Sequence, residues 1–315
     1  MNITVLSGQA HKELAHEICR HLGLPLRPTD FRKFSNDCQW VQIQSNCRES
    51  DVFIIQPLCP PVQEHLMELM LMMDAARGAS ARRITAVIPY FAYARSDKKD
   101  APRISIAARL VADLLVTAGA DRVLTMALHS DQVHGFFSVP VDHLNALNVL
   151  ADHFRQQDLS DCIAVSPDLG NAKAASHFAR LIGVPVAAGN KRRLADDQTV
   201  IDAVVGDVRG KHCIVIDDEV ANGGSMISLL AMLRELGATG FSLACTHGLF
   251  TKESVPRLAA FEDVREIVTT TTIPLSEEKL HDKVKTLSIA PLFAEAIRRI
   301  HAGESISSLF DENEG

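Results

Sequence analysis

Eight short runs rich in Val and Ile recur along this chain, separated by longer stretches, and no other feature restricts its fold as much. The runs are ITVL (3–6), VFIIQ (52–56), ITAVIPY (84–90), RVLTMAL (122–128), CIAVS (162–166), CIVIDD (213–218), FSLACTHG (241–248) and EIVTTTTIP (266–274). Their apolar residues do not alternate with polar ones. Each therefore suits a strand buried on both faces, as in a parallel sheet covered by helices. Between them, KELAHEICRHL (12–22), VQEHLMELMLMMDAAR (62–77) and SMISLLAMLRELG (225–237) place apolar residues at helical spacing. The last closes on Gly237, where a helix cap is expected. Strand, helix and strand in turn give an α/β architecture, mainly parallel sheets flanked by helices.

The two halves echo each other. VLSGQAHKELAHEICRHLGLPL (5–26) and VSPDLGNAKAASHFARLIGVPV (165–186) both read strand, small polar turn, helix, then Gly-x-Pro into a further apolar pair. VFIIQP–helix–GAS matches CIVIDD–helix–GAT in the same way. Any α/β chain shows some echo, but Ser7 to Pro25 spans 18 positions and Ser166 to Pro185 spans 19. That near-match favours duplication into two tandem domains of one fold, 1–145 and 146–315.

With 47% apolar and 23% charged residues among 315, there is material for two cores. The net charge of -7 argues against a nucleic-acid partner, which calls for a basic surface. Seven scattered cysteines, none in C-x-x-C spacing, fit a reducing compartment rather than a disulfide framework. The opening MNITVLSGQA does not look like a signal peptide, and no apolar stretch is long enough to span a bilayer. A cytoplasmic protein without membrane contact is expected.

The strongest candidate site is CIVIDDEVANGGSMISLLAML (213–233). A buried strand ends in Asp217 and Asp218, the small loop Ala221, Asn222, Gly223, Gly224, Ser225 follows, and a helix begins. Ligands of α/β sheets bind at the carboxyl ends of strands. Glycine-loop amides and a helix N-terminus form a phosphate cradle, and the acids could take sugar hydroxyls or a cation. Adjacent acids at a strand end make poor core residues. Asp168 likewise follows a strand and precedes a Gly-containing turn, and His129 follows RVLTMAL. Histidine is an uncommon Mg2+ ligand, and a lone one is more often structural. His11, His16 and His21 recur every five residues and cannot share a helix face. Two basic stretches complete the set. PYFAYARSDKKDAPR (89–103) carries Arg95, Lys98, Lys99 and Arg103 among aromatics, and NKRRLAD (190–196) carries Lys191, Arg192 and Arg193. Such loops can neutralise transferring phosphoryl groups. They are equally what a solvated basic surface loop looks like.

Taken in order, DVFIIQP, MELMLMMDAARGASARRITAVIPYFAYAR, LVADLLVTAGADRV, QVHGFF, PVDHL, VSPD, KRR, GDVRGKHCIVIDD, THGLF and AEAIRRIHAGESISSLF resemble the blocks of the ribose-phosphate diphosphokinases over nearly the whole chain. The resemblance implies two phosphoribosyltransferase-type domains. It also implies a homo-oligomer, a hexamer or its dimer unit, and Mg2+-dependent transfer of the β,γ-pyrophosphoryl group of ATP to the 1-hydroxyl of ribose 5-phosphate. By matching motif, Asp217 and Asp218 would hold the ribose hydroxyls and Ala221 to Ser225 the 5-phosphate. Lys191 and Arg193 would be the catalytic cations. His129 and Asp168 would line the Mg–ATP site, and Phe34, Asn36, Arg95 and Ser96 fall in its ATP-binding blocks, with the Phe34 segment supplied by a neighbouring subunit. Arg48, Ser305 and Ser307 stand where the family binds regulatory phosphate or ADP.

Departures from the family pattern cluster at these positions. Asn36 and Cys38 replace two acids, Ser96 replaces a Gln, and Ala127 replaces an Asp two before the His. Ala221 replaces the acid that opens the phosphate loop, and Asn171 and Ala174 alter the turn after Asp168. The leading expectation is a working diphosphokinase. The alternatives are the same chemistry on another sugar phosphate or nucleotide, and a non-catalytic subunit that modulates a true synthetase.

Overall fold

The computed structural model describes residues 2–195, 198–251 and 253–309, with the side chains at 191–202 and 308 outside that description. The chain forms two compact units. The first is built on β1 (Ile3–Ser7), α1 (Lys12–Leu22), the hairpin β2 (Thr29–Lys33) and β3 (Gln39–Ile43), β4 (Asp51–Ile55), α2 (Val62–Gly78), β5 (Arg83–Ile88), α3 (Ala107–Ala118), β6 (Arg122–Met126) and β7 (Val141–Leu144). Its sheet runs β1-β4-β5-β6-β7 and every pair is parallel. Leu6, Ile54, Leu69, Met72, Ile84, Val111 and Val123 fill one core.

The second unit contains α4 (Leu147–Phe154), β8 (Cys162–Ser166), α5 (Ala172–Ile182), β9 (Val186–Ala195), β10 (Gln198–Val205), β11 (His212–Val220), α6 (Gly224–Glu235), β12 (Gly240–Gly248), α7 (Ser254–Ala259), β13 (Val264–Thr270) and β14 (Val284–Leu287). Its sheet order is β10-β9-β8-β11-β12-β13-β14, parallel except for β10 against β9. Residues alternate between two cores. Cys213 and Val215 join Leu229, Leu230 and Leu233, while Ile214 and Ile216 join Leu150, Phe154 and Phe178. Burial on both faces is why the strand runs are apolar throughout.

All eight apolar runs coincide with parallel strands. The duplication shows at the level of caps and register. α1 and α5 end on Gly23 and Gly183, both left-handed, and the next amide returns to Cys19 O and Ala179 O. Each chain then runs beside the strand it came from. Leu26 bridges Val5, and Val186 pairs with Ala164.

The sequence split assigned all of 146–315 to the second half. Here the structure differs, because Thr272–Pro274 and the stretch from Ile289 group with the first unit. The cause is α8 (Ala290–Ala302). It buries Phe293, Ala294, Ile297 and Ile300 and packs on α1. Buried Asp51 anchors its end, accepting from Arg83 Nε (2.9 Å) and facing His301 Nδ1 (3.0 Å), while Arg83 Nη2 donates to Ile300 O (2.9 Å). In the second unit α4 holds the matching place on α5, with Phe154 edge-on to Phe178 at 5.8 Å. All seven cysteines are free thiols, and only Cys38 is exposed. Among the described residues no helix is long and apolar enough to cross a membrane.

Candidate active site

From β8 the chain moves to one side to form β9 and then returns to the other side to form β11. Strand order reverses there, and the carboxyl ends of β8 and β11 open the crevice in which α/β sheets bind ligands. β11 pairs with β8 only as far as Val215↔Val165, but with β12 as far as Val220↔Gly248. Beyond Val215 its β8 side is free of strand partners, and Asp217 and Asp218 lie on that stretch. Asp168 lies just past β8. Its Oδ1 accepts the Asn171 amide at 3.0 Å, and Ser166 Oγ donates to its carbonyl at 2.6 Å. The Asn171 side-chain amide donates to Ile216 O at 3.1 Å and Asp217 Oδ1 at 3.4 Å.

Three acids therefore share one crevice. Burial pushes the Asp217 carboxyl well above the usual carboxylate range, and the charge and hydrogen bonding of Asp218 and the charge of Asp168 push the same way. The Asp218 N–H, 2.9 Å from Asp217 Oδ1, opposes them. A cation or hydroxyl donors would relieve that crowding. Among the described residues no group of three or more His, Cys, Asp or Glu is placed to hold a metal.

The loop from Ala221 to Ser225 turns β11 into α6. Gly223 takes φ +72°, and a Cβ there would stand 3.2 Å from that of Ser254. Ala221 O accepts the Thr251 amide (2.9 Å), and Arg257 Nη1 reaches Asn222 O (3.5 Å). First-turn amides of a helix lack intrahelical acceptors and favour anions. One of them is already taken, since Gly224 N donates to Asn222 Oδ1 at 3.0 Å. The sequence had counted it with the open donors.

The first unit carries the other predicted residues. Phe34 stands 54% exposed at the tip of the β2–β3 hairpin. Asn36 helps build that tip, its Oδ1 accepting Cys38 N at 3.2 Å. Lys33 ties the tip to Asp37 (2.7 Å) and to Glu64 of α2 (3.4 Å), and neighbouring Gln63 donates to the Tyr93 hydroxyl (3.3 Å). Arg95 closes a helical turn, Ala92–Arg95, after β5. The Ser96 hydroxyl accepts Ala107 N (3.2 Å), so it caps α3. His129 is exposed after β6, beyond Ala127 at φ +44°. That turn is held by Leu128 N donating to His143 Nε2 at 2.7 Å, and burial lowers the pKa of His143. No sequence signal marked His143.

Lys191 and Arg193 lie on β9, whose pairing with β10 places them opposite Ile201 and Thr199; their side chains are outside the described residues. The expected basic loop is thus an antiparallel arm. Arg48 is exposed, and in the tail Ser305 Oγ bonds Ser307 Oγ while Arg299 Nη1 donates to Ser305 O at 3.1 Å.

Comparison with known proteins gives a consistent result. Residues 3–119 match the family described as the N-terminal domain of ribose phosphate pyrophosphokinase, and residues 196–311 match the phosphoribosyl synthetase-associated domain. A Streptomyces coelicolor relative is 61% identical over 310 residues, 98% of each chain. The ribose-phosphate pyrophosphokinase of Deinococcus radiodurans is 48% identical over 313 residues, again 98% of each. The crystal structure of phosphoribosylpyrophosphate synthetase from Mycobacterium smegmatis superposes with a TM-score of 0.90 at 39% identity, covering 96% of this chain and 100% of that one.

Proposed function

Because the chain belongs to the ribose-phosphate pyrophosphokinase family, we propose that it transfers the β,γ-pyrophosphoryl group of ATP to the 1-hydroxyl of ribose 5-phosphate through the crevice between β8 and β11. The observation that supports this most is the order of groups along β11: two acids, a glycine loop, then a helix N-terminus. Asp217 and Asp218 would accept hydrogen bonds from the ribose hydroxyls. The 221–225 loop and the first turn of α6 would take the 5-phosphate, with Asn222 releasing Gly224 N as the anion arrives.

The acceptor oxygen forms a bond to the β-phosphorus, the bond from the α,β-bridging oxygen to that phosphorus breaks, AMP leaves, and the proton of the 1-hydroxyl passes to solvent. Lys191 and Arg193 on the β9–β10 arm would neutralise the group in flight. His129 and Asp168 are assigned, by the family resemblance alone, to the Mg–ATP site, where the ion would spread the negative charge of the phosphates. Phe34, Asn36, Arg95 and Ser96 are assigned to ATP. Arg48, Ser305 and Ser307 are assigned to a regulatory anion, and the active form to a cytoplasmic homo-oligomer.

Phosphorus NMR of the protein with Mg–ATP and a panel of sugar phosphates tests the assignment. Phosphoribosyl pyrophosphate and AMP in equal amounts are expected. A product from another sugar phosphate would move the acceptor. No product alone, with turnover gained on adding a second synthetase, would make the chain a regulatory subunit.

A further inference from the structure

We propose that Asn171 is a positioning residue that locks Asp217 to the β8 turn and so sets the spacing of the acids that meet the sugar. The role rests on the assignment of Asp217 to the sugar hydroxyls, and it goes beyond that assignment by naming what holds the acid in place.

Asn171 occupies the N-cap position of α5, where an Asn side chain ordinarily accepts an amide of the first turn. Its side chain makes no such bond. The matching position of the first unit behaves in the ordinary way, since His11 at the N-cap of α1 accepts Leu14 N through Nδ1 at 3.4 Å. In the second unit the cap is given up, and the side chain crosses to β11.

There the Nδ2 group donates to Ile216 O and to Asp217 Oδ1, at 3.1 and 3.4 Å, on the stretch where β11 has outrun β8. The backbone of the same residue donates to Asp168 Oδ1 at 3.0 Å. One residue thereby touches two of the three acids and bridges the two strand ends that form the crevice. Burial, with Asp218 and Asp168 close by, disfavours the ionised form of Asp217. A donor fixed beside it holds the carboxyl group in one orientation.

The test uses Asn171→Asp, Asn171→Ala and Asp217→Asn in the full-length protein. Asn171→Asp keeps the shape and replaces the donating amide with a carboxylate. Asn171→Ala removes the donor without adding charge, and it forfeits no capping bond, so it keeps the test open if the first variant does not fold. Loss of the hydrogen bond that fixes Asp217 should raise the KM for ribose 5-phosphate by roughly tenfold in Asn171→Ala and more in Asn171→Asp, with the KM for ATP near that of the parent in both and the melting temperature near it in Asn171→Ala. In the Asp217→Asn background, Asn171→Ala should change ribose 5-phosphate affinity, measured by calorimetry, by less than about twofold, because the two residues act as one. If affinity responds to Asp217→Asn but to neither Asn171 variant, or if the two effects add fully, Asn171 has no positioning role. If affinity ignores Asp217→Asn as well, the sugar lies elsewhere and the site assignment falls with it.

Discussion

The two units repeat one strand-order reversal and fill it differently. In the second, β8 is flanked by β9 and β11, and the crevice beyond them holds Asp168, Asp217 and Asp218. In the first, β1 is flanked by the Leu26 bridge and by β4. Matching VFIIQP to CIVIDD, Gln56 stands where Asp217 does. Here the crevice is closed by side chains. Glu68 of α2, 2% exposed, accepts Gln9 N (2.6 Å), Gln9 Nε2 (2.7 Å) and Gln56 Nε2 (2.7 Å), and Gln56 Oε1 accepts Ala10 N (3.1 Å). The turn amides after β1 are bonded to the protein itself. A crevice of one backbone design is structural where its polar groups are satisfied from within, and available to a ligand where they are left to something arriving from outside.

The sharpest break in this symmetry concerns the arms. The second unit places β9, whose sequence carries Lys191, Arg192 and Arg193, beside β8. Lys191→Ala should lower kcat by about a thousandfold, the scale of a lost transition-state charge partner, and leave the circular dichroism spectrum and ATP affinity near those of the parent. Turnover within tenfold of the parent in a stopped assay would take Lys191 out of the chemistry.

Next in size is a contrast in the sign of stability. Glu68→Ala should destabilise the chain by about 3 kcal/mol, because buried donors lose their acceptor, with little change in sugar-phosphate affinity. Asp217→Asn should do the reverse, raising the melting temperature while weakening sugar binding by about tenfold. The pH dependence follows from the raised pKa of Asp217. For an acid shifted upward on folding, stability is fully present below the unfolded pKa and is lost as pH rises through the folded value. The gain from Asp217→Asn should therefore be larger at pH 8 than at pH 5. Thermal scans at both pH values measure it, and an equal gain would mean that Asp217 is not held near its neutral form.

A smaller pair of effects lies in the glycines of the two crevices. A Cβ on Gly8 would fall 2.3 Å from Gln56 Oε1, inside the closed network, whereas one on Gly224 would meet only Asn222 Oδ1 at 3.4 Å. Gly8→Ala should cost about 2 kcal/mol in urea unfolding. Gly224→Val should leave the midpoint nearly unchanged and weaken sugar-phosphate binding about fivefold by crowding the loop amides.

These pairs also show what was legible beforehand. Eight of the parallel strands could be read because burial on both faces leaves an unbroken apolar run. β2, β3 and β9 could not: Phe31, Val41 and Ile43 make only a short apolar face among polar neighbours, and NKRRLA is mainly polar and charged. VDHL and VKTL are short edge strands with no pattern of their own. The placement of α8 was hidden because Phe293, Ile297 and Ile300 declare a buried face without naming its partner. Asp217 and Asp218 stood out as acids ending a buried strand. Glu68 did not, since one acid within VQEHLMELM reads as a solvated position until its three donors are seen. Asn171 read as a turn residue, and its reach across to β11 depends on β8 ending two residues short of Asp217.

The finest distinction is within the phosphate loop, at Ala221. Its carbonyl accepts Thr251 N at 2.9 Å, so the backbone is held whatever side chain it carries. Ala221→Asp would add a carboxylate to a crevice where Asp217 already carries excess repulsion. Without a divalent ion that addition is unfavourable, and thermal stability should fall slightly. With Mg2+ and nucleotide present the new carboxylate gains a cation to face, and the sign should invert: the Mg2+ concentration for half-maximal rate should drop by about threefold, less than 1 kcal/mol. Titrating Mg2+ at fixed ATP and ribose 5-phosphate, parent against variant, reads this directly. A half-saturation point that does not move, or that rises, would place the ion away from the loop.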